Sequence, residues 1–253
     1  TKHIHGGDVY KYDHCLDFSA NCNPLGTPQS VKQAIIDSVE DLSDYPRVGC
    51  GPLKEAIADY EHTKKEYLIC GNGAADLIFS LSRALNPKKA LLPAPTFAEY
   101  EQALVSVGCE ISRYYLKEEN DFCIQKDYPD IIFLCNPNNP TGITIPQDLL
   151  EEILETCAMQ GIFMVVDECF LDFVKDPEKH TLKEKLAKYP GLFILKAFTK
   201  RYAIPGVRLG YGFCSDGEVL DRMEAVTQPW NVSTMAQQAG MAALKEAEYV
   251  LSL

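Results

Sequence analysis

The sequence lacks several features that would assign it to common classes of protein. No apolar stretch approaches the roughly 20 residues that a membrane-spanning helix needs, and the first residues show no signal-peptide pattern. Basic residues are in the minority, since 24 Lys and Arg stand against 36 Asp and Glu and the formal net charge is -12. This balance argues against nucleic acid or an anionic membrane surface as a partner, although a local basic pocket for one small anion is compatible with it.

Metal-binding and disulfide patterns are also missing. The ten cysteines stand singly with no C-x-x-C spacing, and the five histidines form no H-E-x-x-H or comparable pattern. Cys70 and Cys135 lie in apolar runs, where a thiol acts as a small hydrophobic side chain. We therefore expect a reduced, cytoplasmic protein without a metal site.

What the sequence does contain is an alternation of short apolar runs with segments of helical period. The predicted strands are Tyr67–Cys70, Ala90–Leu92, Ile111–Leu116, Ile131–Cys135, Phe163–Val166, Leu192–Leu195 and Leu209–Phe213. The predicted helices are Gln29–Val39, Ala75–Leu85, Phe97–Val107, Gln147–Gln160, Leu182–Lys188 and Ser233–Leu253. The alternation predicts a three-layer α/β fold, with a mostly parallel seven-stranded sheet and helices on both faces. Ligands of such sheets bind beyond the carboxyl ends of the strands.

The first and second predicted strands are followed by residues that suit a ligand with a phosphate and a planar ring. Gly73, Ala74 and Ala75 lie at the start of a helix, where free N–H groups bind anions. Phe97 follows the second strand and could lie over a planar ring. The alternatives are a tight strand-to-helix turn and a simple core position for Phe97.

The fourth and fifth predicted strands end in polar residues. The segment Asn136–Gly142 contains two Pro and three Asn, and Asn139 could donate a hydrogen bond to a phenolate oxygen. An ordinary turn is the alternative. Asp167 ends an apolar strand and is costly to bury unless it meets a cation, which could be a protonated ring nitrogen or a buried Arg. Glu168 could accept hydrogen bonds in the same region and so have a structural role.

The sixth predicted strand leads to the most informative residue of the chain, Lys200. The hydroxyl of Thr199 precedes this amine, and Arg208 follows it by eight positions. An amine in this place suits imine formation beside a phosphate, which Thr199 and the guanidinium fork of Arg208 could bind. A solvated loop lysine is the alternative.

Together these strand ends describe one ligand. Its aldehyde would form an imine with the Lys200 amine, and its aromatic ring would stack on Phe97. Its ring nitrogen would face Asp167 and its phenolate oxygen would face Asn139. Its phosphate would be bound by Gly73, Ala74, Ala75, Thr199 and Arg208. Pyridoxal 5′-phosphate carries all of these groups, so we expect it as the cofactor.

The motifs G-N-G-A-A-D, P-T-F, N-P-N-N-P-T-G, V-V-D-E and T-K-x-x-x-x-P-G-x-R-x-G occur in this order along the chain. In this order they resemble the fold-type I pyridoxal phosphate enzymes of the class I/II aminotransferase superfamily. Within it the chain is most similar to histidinol-phosphate aminotransferases and threonine-phosphate decarboxylases. The resemblance implies that Lys200 is the Schiff-base lysine, Asp167 the pyridinium partner, Asn139 the O3′ donor and Arg208 a phosphate ligand.

The resemblance also implies a homodimer and a division of the chain. Tyr45 would reach the cofactor phosphate of the other subunit, and an ordinary packing tyrosine is the alternative. Residues 1–45 would form an N-terminal arm with part of a small domain, and residues 46–228 the large cofactor-binding domain. Residues 229–253 would begin an interdomain helix. We expect the chain to stop inside that helix, with the C-terminal small domain outside this sequence.

Three features favour the decarboxylases. His5-Gly6-Gly7 followed by residues 16–26 is similar to the N-terminus of that subgroup, and Gln228–Ser233 is similar to its loop before the long helix. Phe170 stands where related aminotransferases usually carry a Tyr that donates to O3′. Ala197 departs from the Ser or Thr of many relatives, so that one phosphate hydroxyl would be missing.

The expected activity is therefore decarboxylation of L-threonine O-3-phosphate to aminopropanol phosphate, a step of cobalamin biosynthesis. The resemblance implies that Lys200 and Asp167 act in catalysis, and that His5, Asn23 and Phe170 bind substrate. An aminotransferase acting on histidinol phosphate with 2-oxoglutarate and glutamate is the alternative. A non-catalytic module that binds the cofactor or another partner is a third possibility.

Overall fold

A computed structural model describes residues 6–115, 129–246 and 249 of the chain. Its centre is one seven-stranded sheet with the spatial order β1-β7-β6-β5-β4-β2-β3. The strands are β1 (Leu68–Gly71), β2 (Lys89–Ala94), β3 (Glu110–Tyr115), β4 (Ile131–Cys135), β5 (Phe163–Asp167), β6 (Leu192–Ala197) and β7 (Gly210–Phe213). Strand β7 runs antiparallel to β1 and β6, and all other neighbouring pairs are parallel. The predicted mostly parallel seven-stranded sheet is confirmed.

Helices cover both faces of the sheet. They are α1 (Gln29–Asp37), α2 (Gly51–Glu61), α3 (Ala74–Leu85), α4 (Ala98–Ser106), α5 (Gln147–Gln160), α6 (Phe198–Arg201), α7 (Gly217–Val226) and α8 (Thr234–Ala243). Apolar residues of α1, α2, α5 and α8 share a core with one face of the sheet, and those of α3, α4 and α7 share a core with the other face. We call these the first face and the second face.

The central strands are apolar along their whole length because both of their faces are covered. All five residues of β4 are buried, and so are the first four of β6. Alternate residues of each strand serve the two cores, so that Ile132 packs on the first face and Phe133 on the second. Burial of each Leu, Ile or Phe side chain stabilises the folded state by about 1.5 to 3 kcal/mol.

The predicted elements agree with the structure over most of the chain. Strand β4 and helix α5 have the predicted bounds. Helices α2 and α7 have no counterpart among the predicted elements, although Leu53 and Ile57 of α2 are buried four residues apart, as a helix requires. The helix predicted over 182–188 is wrong, because only the 3₁₀ turn Lys183–Lys185 forms there. Pro190 follows that segment closely and cannot continue a helix.

Two predicted elements extend beyond the described residues. The strand predicted to end at Leu116 is described as far as Tyr115. The helix predicted over Ser233–Leu253 is too long, because α8 ends at Ala243 and the described residues 244–246 after it are not helical. Within the described ranges no helix is long and apolar enough to cross a membrane.

Candidate active site

The register of the parallel strands brings the predicted site residues to one edge of the sheet. Cys135 of β4 pairs with Asp167 of β5, and Asp167 pairs with Leu195 of β6. The segments that follow these three strands therefore start side by side. They carry Asn139, Phe170 and Lys200 respectively.

The loop between β1 and α3 forms a cradle with Arg208. Gly73 has a φ of +87°, which favours glycine, and a Cβ atom built there would lie 2.5 Å from Nη2 of Arg208. A Cβ atom at Gly210 would lie 2.6 Å from the backbone N of Ala74. Only glycine at both positions lets the guanidinium and the start of α3 approach this closely. The first N–H groups of α3, at Ala74 and Ala75, have no partner within the helix.

Arg208 has a free guanidinium edge in this cradle. Its backbone is in the left-handed region at φ 60°, and Nη1 donates to the carbonyl oxygen of Pro205 at 3.1 Å. Among the described residues no carboxylate forms an ion pair with Arg208. The exposed cation, the helix start and the nearby buried Thr199 therefore suit a phosphate group.

Asp167 is buried, and none of the residues that the structure describes places a cation against it. Its side chain accepts hydrogen bonds from the Tyr100 hydroxyl at 2.5 Å and from the backbone N of Cys169 at 2.9 Å. Burial raises the pKa of the Asp167 carboxyl, and the two hydrogen bonds only partly oppose this. The buried arginine that could have neutralised it, Arg201, pairs with Asp172 instead. Asp167 therefore offers its negative charge to a cationic group from outside the chain.

Lys200 lies in the short helix α6 directly after β6, and its side chain is half-buried. Its Nζ lies over the ring of Phe170, 5.7 Å from the ring centroid. Burial and the Asp167 charge raise the pKa of the Cys169 thiol, and the Lys200 charge opposes the rise. The structure thus brings Lys200, Asp167 and Phe170 together at the carboxyl ends of β5 and β6, and we call this region the pocket.

Asn139 and Phe97 lie on the flank of this pocket. Asn138 fixes the Asn139 loop, because its Nδ2 donates to the carbonyl oxygen of Pro95 at 3.1 Å and its Oδ1 accepts from Thr96 at 3.1 Å. Asn139 is half-buried and follows this anchor directly. Phe97 is half-buried, and its ring meets that of Tyr100 edge-on at 5.5 Å between centroids.

The site residues predicted in the N-terminal region are not seen to join the pocket. Tyr45 is 77% exposed, and its ring stacks on Trp230 at 4.4 Å. The amide of Asn23 is occupied within the chain, with Nδ2 donating to the carbonyl oxygen of Arg201 and Oδ1 accepting from the backbone N of Leu25, both at 2.9 Å. Asn23 thus holds α6, and its predicted contact with substrate stays a prediction. His5 lies outside the described residues.

A polar cluster lies on the first face, behind the pocket. Glu61 accepts from Lys183 at 2.8 Å, from Lys196 at 3.1 Å and from the Tyr211 hydroxyl at 2.7 Å. Despite its burial, these two cations and the hydrogen bonds lower the pKa of Glu61 to about 2. Glu168 accepts from the Thr181 hydroxyl at 2.8 Å, and burial raises its pKa to about 7.

The sequence motifs did not identify Tyr100, although it contacts Asp167 directly. One signal was available, since Tyr100 follows Phe97 by three residues and therefore lies on the same side of its helix. Arg201 and Asp172 were also missed as a pair. They lie 29 residues apart in the sequence, and nothing local joins them.

Residues 13–252 match the family model described as aminotransferase class I and II, and the chain belongs to this family. It is 37% identical to a threonine-phosphate decarboxylase of Salmonella typhimurium, over 97% of this chain and 71% of that protein. A crystal structure of the histidinol-phosphate aminotransferase from Clostridium acetobutylicum is 32% identical and superposes with a TM-score of 0.85. That match covers 94% of this chain and 72% of the other.

The chain is an enzyme of this family, and its cofactor is pyridoxal 5′-phosphate. A structure of histidinol-phosphate aminotransferase from Sinorhizobium meliloti in complex with pyridoxal-5′-phosphate shares the fold, with a TM-score of 0.82 and 20% identity. That match covers 92% of this chain and 65% of the other. The described residues fit the cofactor, because the buried carboxylate of Asp167 has no cation among them, a glycine-lined cradle holds the exposed guanidinium of Arg208, and the amine of Lys200 follows the strand next to that of Asp167.

Proposed function

We propose that the chain decarboxylates L-threonine O-3-phosphate to aminopropanol phosphate and CO2, as in cobalamin biosynthesis. The observation that carries this proposal is the 37% identity with a threonine-phosphate decarboxylase, which extends over 97% of the chain. The apolar ring of Phe170 beneath the Lys200 amine supports it, because related aminotransferases are expected to carry a tyrosine hydroxyl at this position.

Each site residue has a proposed task in binding the cofactor. The cradle of Gly73, Ala74 and Ala75 would hold the phosphate together with the Thr199 hydroxyl and the guanidinium of Arg208. Phe97 would stack on the ring, and Asn139 would donate a hydrogen bond to the phenolate oxygen. Asp167 would hold a proton on the ring nitrogen, and this contact would stabilise the buried Asp167 charge in return.

When bound, pyridoxal phosphate supplies an aldehyde for amines and a ring that accepts the electron pair released at the substrate Cα. Lys200 would hold the cofactor covalently through its Nζ and would release it to the amine of the substrate. The Nζ lies over Phe170, and from there it would return a proton to the substrate Cα. Phe170 excludes water from this position and offers no competing hydroxyl.

The aminotransferase is the second candidate, because histidinol-phosphate aminotransferase shares the fold at 32% identity. In that reaction Lys200 would remove the proton of Cα instead of returning one after CO2 is lost. The two reactions differ in which bond at Cα breaks, and the side chains that hold the substrate decide this. The proposed contributors in this chain are His5, Asn23 and Phe170.

We also propose a cytoplasmic homodimer in which Tyr45 reaches the cofactor phosphate of the second copy. The 77% exposure of Tyr45, stacked on the half-exposed Trp230, supports a contact made between copies. A reducing compartment suits the nine described cysteines, which are all free thiols. Residues 46–228 would be the cofactor-binding domain, with residues 1–45 as an arm and residues 229–253 as the start of an interdomain helix.

The test supplies two substrates to the cofactor-loaded protein. With L-threonine O-3-phosphate we expect CO2 and aminopropanol phosphate, and with histidinol phosphate plus 2-oxoglutarate we expect no glutamate. Lys200→Ala is the matched control and should give neither product. Glutamate without CO2 would overturn the decarboxylase in favour of the aminotransferase, and a protein that binds the cofactor but turns over neither substrate would favour a binding module.

A further inference from the structure

A buried ion pair begins at the residue that follows Lys200. Nη1 of Arg201 donates to Oδ1 of Asp172 at 2.8 Å, and the two side chains are only 7% and 15% exposed. Arg201 follows Lys200 in helix α6, and Asp172 follows Phe170 by two residues in the 3₁₀ turn Leu171–Phe173. The pair therefore joins the segment that carries the amine to the segment that carries the ring beneath it.

Neither segment can hold its own position. Helix α6 has four residues and the turn at Asp172 has three, both far below the length at which a helix is stable by itself. The geometry between Lys200 and Phe170, with 5.7 Å from Nζ to the ring centroid, must come from contacts with other parts of the chain.

Arg201 also anchors α6 on its other sides. Its Nη2 donates to the hydroxyl of Tyr60 in α2, and its guanidinium lies 5.2 Å from the rings of both Tyr60 and Tyr202. From the N-terminal region, the backbone N of Asn23 donates to the carbonyl oxygen of Lys200 at 2.9 Å, and its Nδ2 donates to that of Arg201. Among the contacts of Arg201 named here, the one with Asp172 reaches the Phe170 segment.

Burial of this pair is a poor way to gain stability. Removing two charges from water costs about as much as their attraction returns, and well-packed apolar residues in the same volume often give a more stable protein. The Nε of Arg201 even lacks a hydrogen-bond partner among the described residues. What a charged pair provides and an apolar pair does not is a fixed, directional link between two segments.

We propose that Arg201 and Asp172 are positioning residues that hold the Lys200 amine over the Phe170 ring, so that the proton of Lys200 is delivered to the substrate Cα. This inference rests on the proposed role of Lys200. Misplacement of a reacting group by about 1 Å costs on the order of a hundredfold in rate. The pair thus acts through Lys200 and does not touch the substrate.

The test separates positioning from stability with two variants. Asp172→Asn keeps the shape of the side chain and removes the charge, so we expect a lower Tm and a kcat for CO2 release reduced about a hundredfold, with KM little changed. The double variant Arg201→Met with Asp172→Leu replaces the pair by apolar residues, and we expect it to regain the Tm of the wild type but not its kcat. Recovery of kcat together with Tm would show a merely structural pair and overturn the proposal.

A second readout does not depend on decarboxylation. When pyridoxal phosphate is added to the cofactor-free protein, the visible absorbance band of the bound cofactor reports how fast Lys200 forms its covalent bond. We expect Asp172→Asn to slow this step at least several-fold at unchanged cofactor affinity, and an unchanged rate would contradict the inference. Glu224→Gln, which removes the exposed partner of Lys54 away from the pocket, is the matched control and should behave as wild type. If the wild type releases no CO2, the proposed function fails while this readout still tests the positioning.

Discussion

Asp167 and Glu168 are neighbours in the chain, and they point to opposite faces of the sheet with opposite surroundings. Asp167, on the second face, meets a hydroxyl and a backbone N–H but no cation among the described residues. Glu168, on the first face, lies near Lys196, which also pairs with Glu61 at 3.1 Å. Both carboxyls are almost fully buried, at 4% and 1% exposure.

The comparison shows which of the two regions balances its buried charge without a ligand. The cluster around Glu61 contains two lysines and the hydrogen-bond donors that its charge needs, so it can serve the fold without a ligand. The charge on the Asp167 side is not neutralised by any described residue, and the cofactor's protonated ring nitrogen would balance it. A buried charge without a partner is costly, and its presence at the end of a strand marks a binding site.

The largest effect should follow from removing the charge of Asp167. Asp167→Asn keeps one oxygen to accept from the backbone N of Cys169, and its Nδ2 can donate to the Tyr100 hydroxyl instead. It cannot hold a proton on the ring nitrogen, so we expect kcat to fall about a thousandfold, the upper range for loss of one preorganised electrostatic contact. The measurement is CO2 release from L-threonine O-3-phosphate at saturating cofactor. Because a costly buried charge disappears, the cofactor-free variant should be at least as stable as wild type. A variant that is less stable without cofactor would contradict the idea of an uncompensated charge.

Removing the charge of Glu61 should harm the fold instead. Glu61→Gln leaves Lys183 and Lys196 without their anion, which costs about 3 to 5 kcal/mol of unfolding free energy at neutral pH. Because the folded pKa is lowered from 4.5 to about 2, the contribution of Glu61 is present above pH 4.5 and is lost as pH falls toward 2. Urea unfolding of wild type and Glu61→Gln between pH 3 and 7 should therefore show a difference in unfolding free energy that becomes smaller as the pH falls. A difference that is independent of pH would rule out the ion pairs as its cause.

A smaller effect of opposite sign is expected at Glu168. Its folded pKa of about 7 lies above the ordinary 4.5, so the native state keeps a proton that the unfolded state has released between these values. Wild-type stability should therefore fall as pH rises from 4.5 to 7, by on the order of 2 to 3 kcal/mol from this group. Glu168→Gln removes this term and should be the more stable protein at pH 7 and above. Equal stability of the two proteins at pH 7 would show that Lys196 compensates the Glu168 charge.

Most of the fold could be predicted from the sequence because its central strands are continuous apolar runs. The run Ile131–Cys135 and the helical period of Gln147–Gln160 are local patterns, and both elements form within those bounds. Helix α2 was missed because its start looks like a loop. Cys50 there adopts a φ of 53° and is followed by Gly51 and Pro52, residues that usually mark turns. The segment 182–188 has helical spacing, but its anchor to Glu168 and the nearby Pro190 leave only one turn.

The residues of the candidate site also fall into two groups, those that the sequence predicted and those that it did not. Lys200, Asp167, Asn139 and Arg208 could be proposed from the sequence because each stands just after or near a strand end within a short motif. Tyr100 and the Arg201–Asp172 pair could not be proposed from such motifs, because they act across elements. The direction of a side chain also could not be read from motifs. Asn23, predicted to contact substrate, turns its amide to the chain and holds α6.

The amino-acid sequence was enough to predict the seven strands, the cofactor and the residue types that meet it. These follow from local periodicity and from short-range motifs, which do not need distant contacts. Three facts came from the packing of the chain: among the described residues Asp167 has no cation, Glu61 has two, and an ion pair links the Lys200 and Phe170 segments. The physical reason is that a charge is balanced or left unbalanced by residues far away in the sequence, which only the packing of the sheet and its helices brings together.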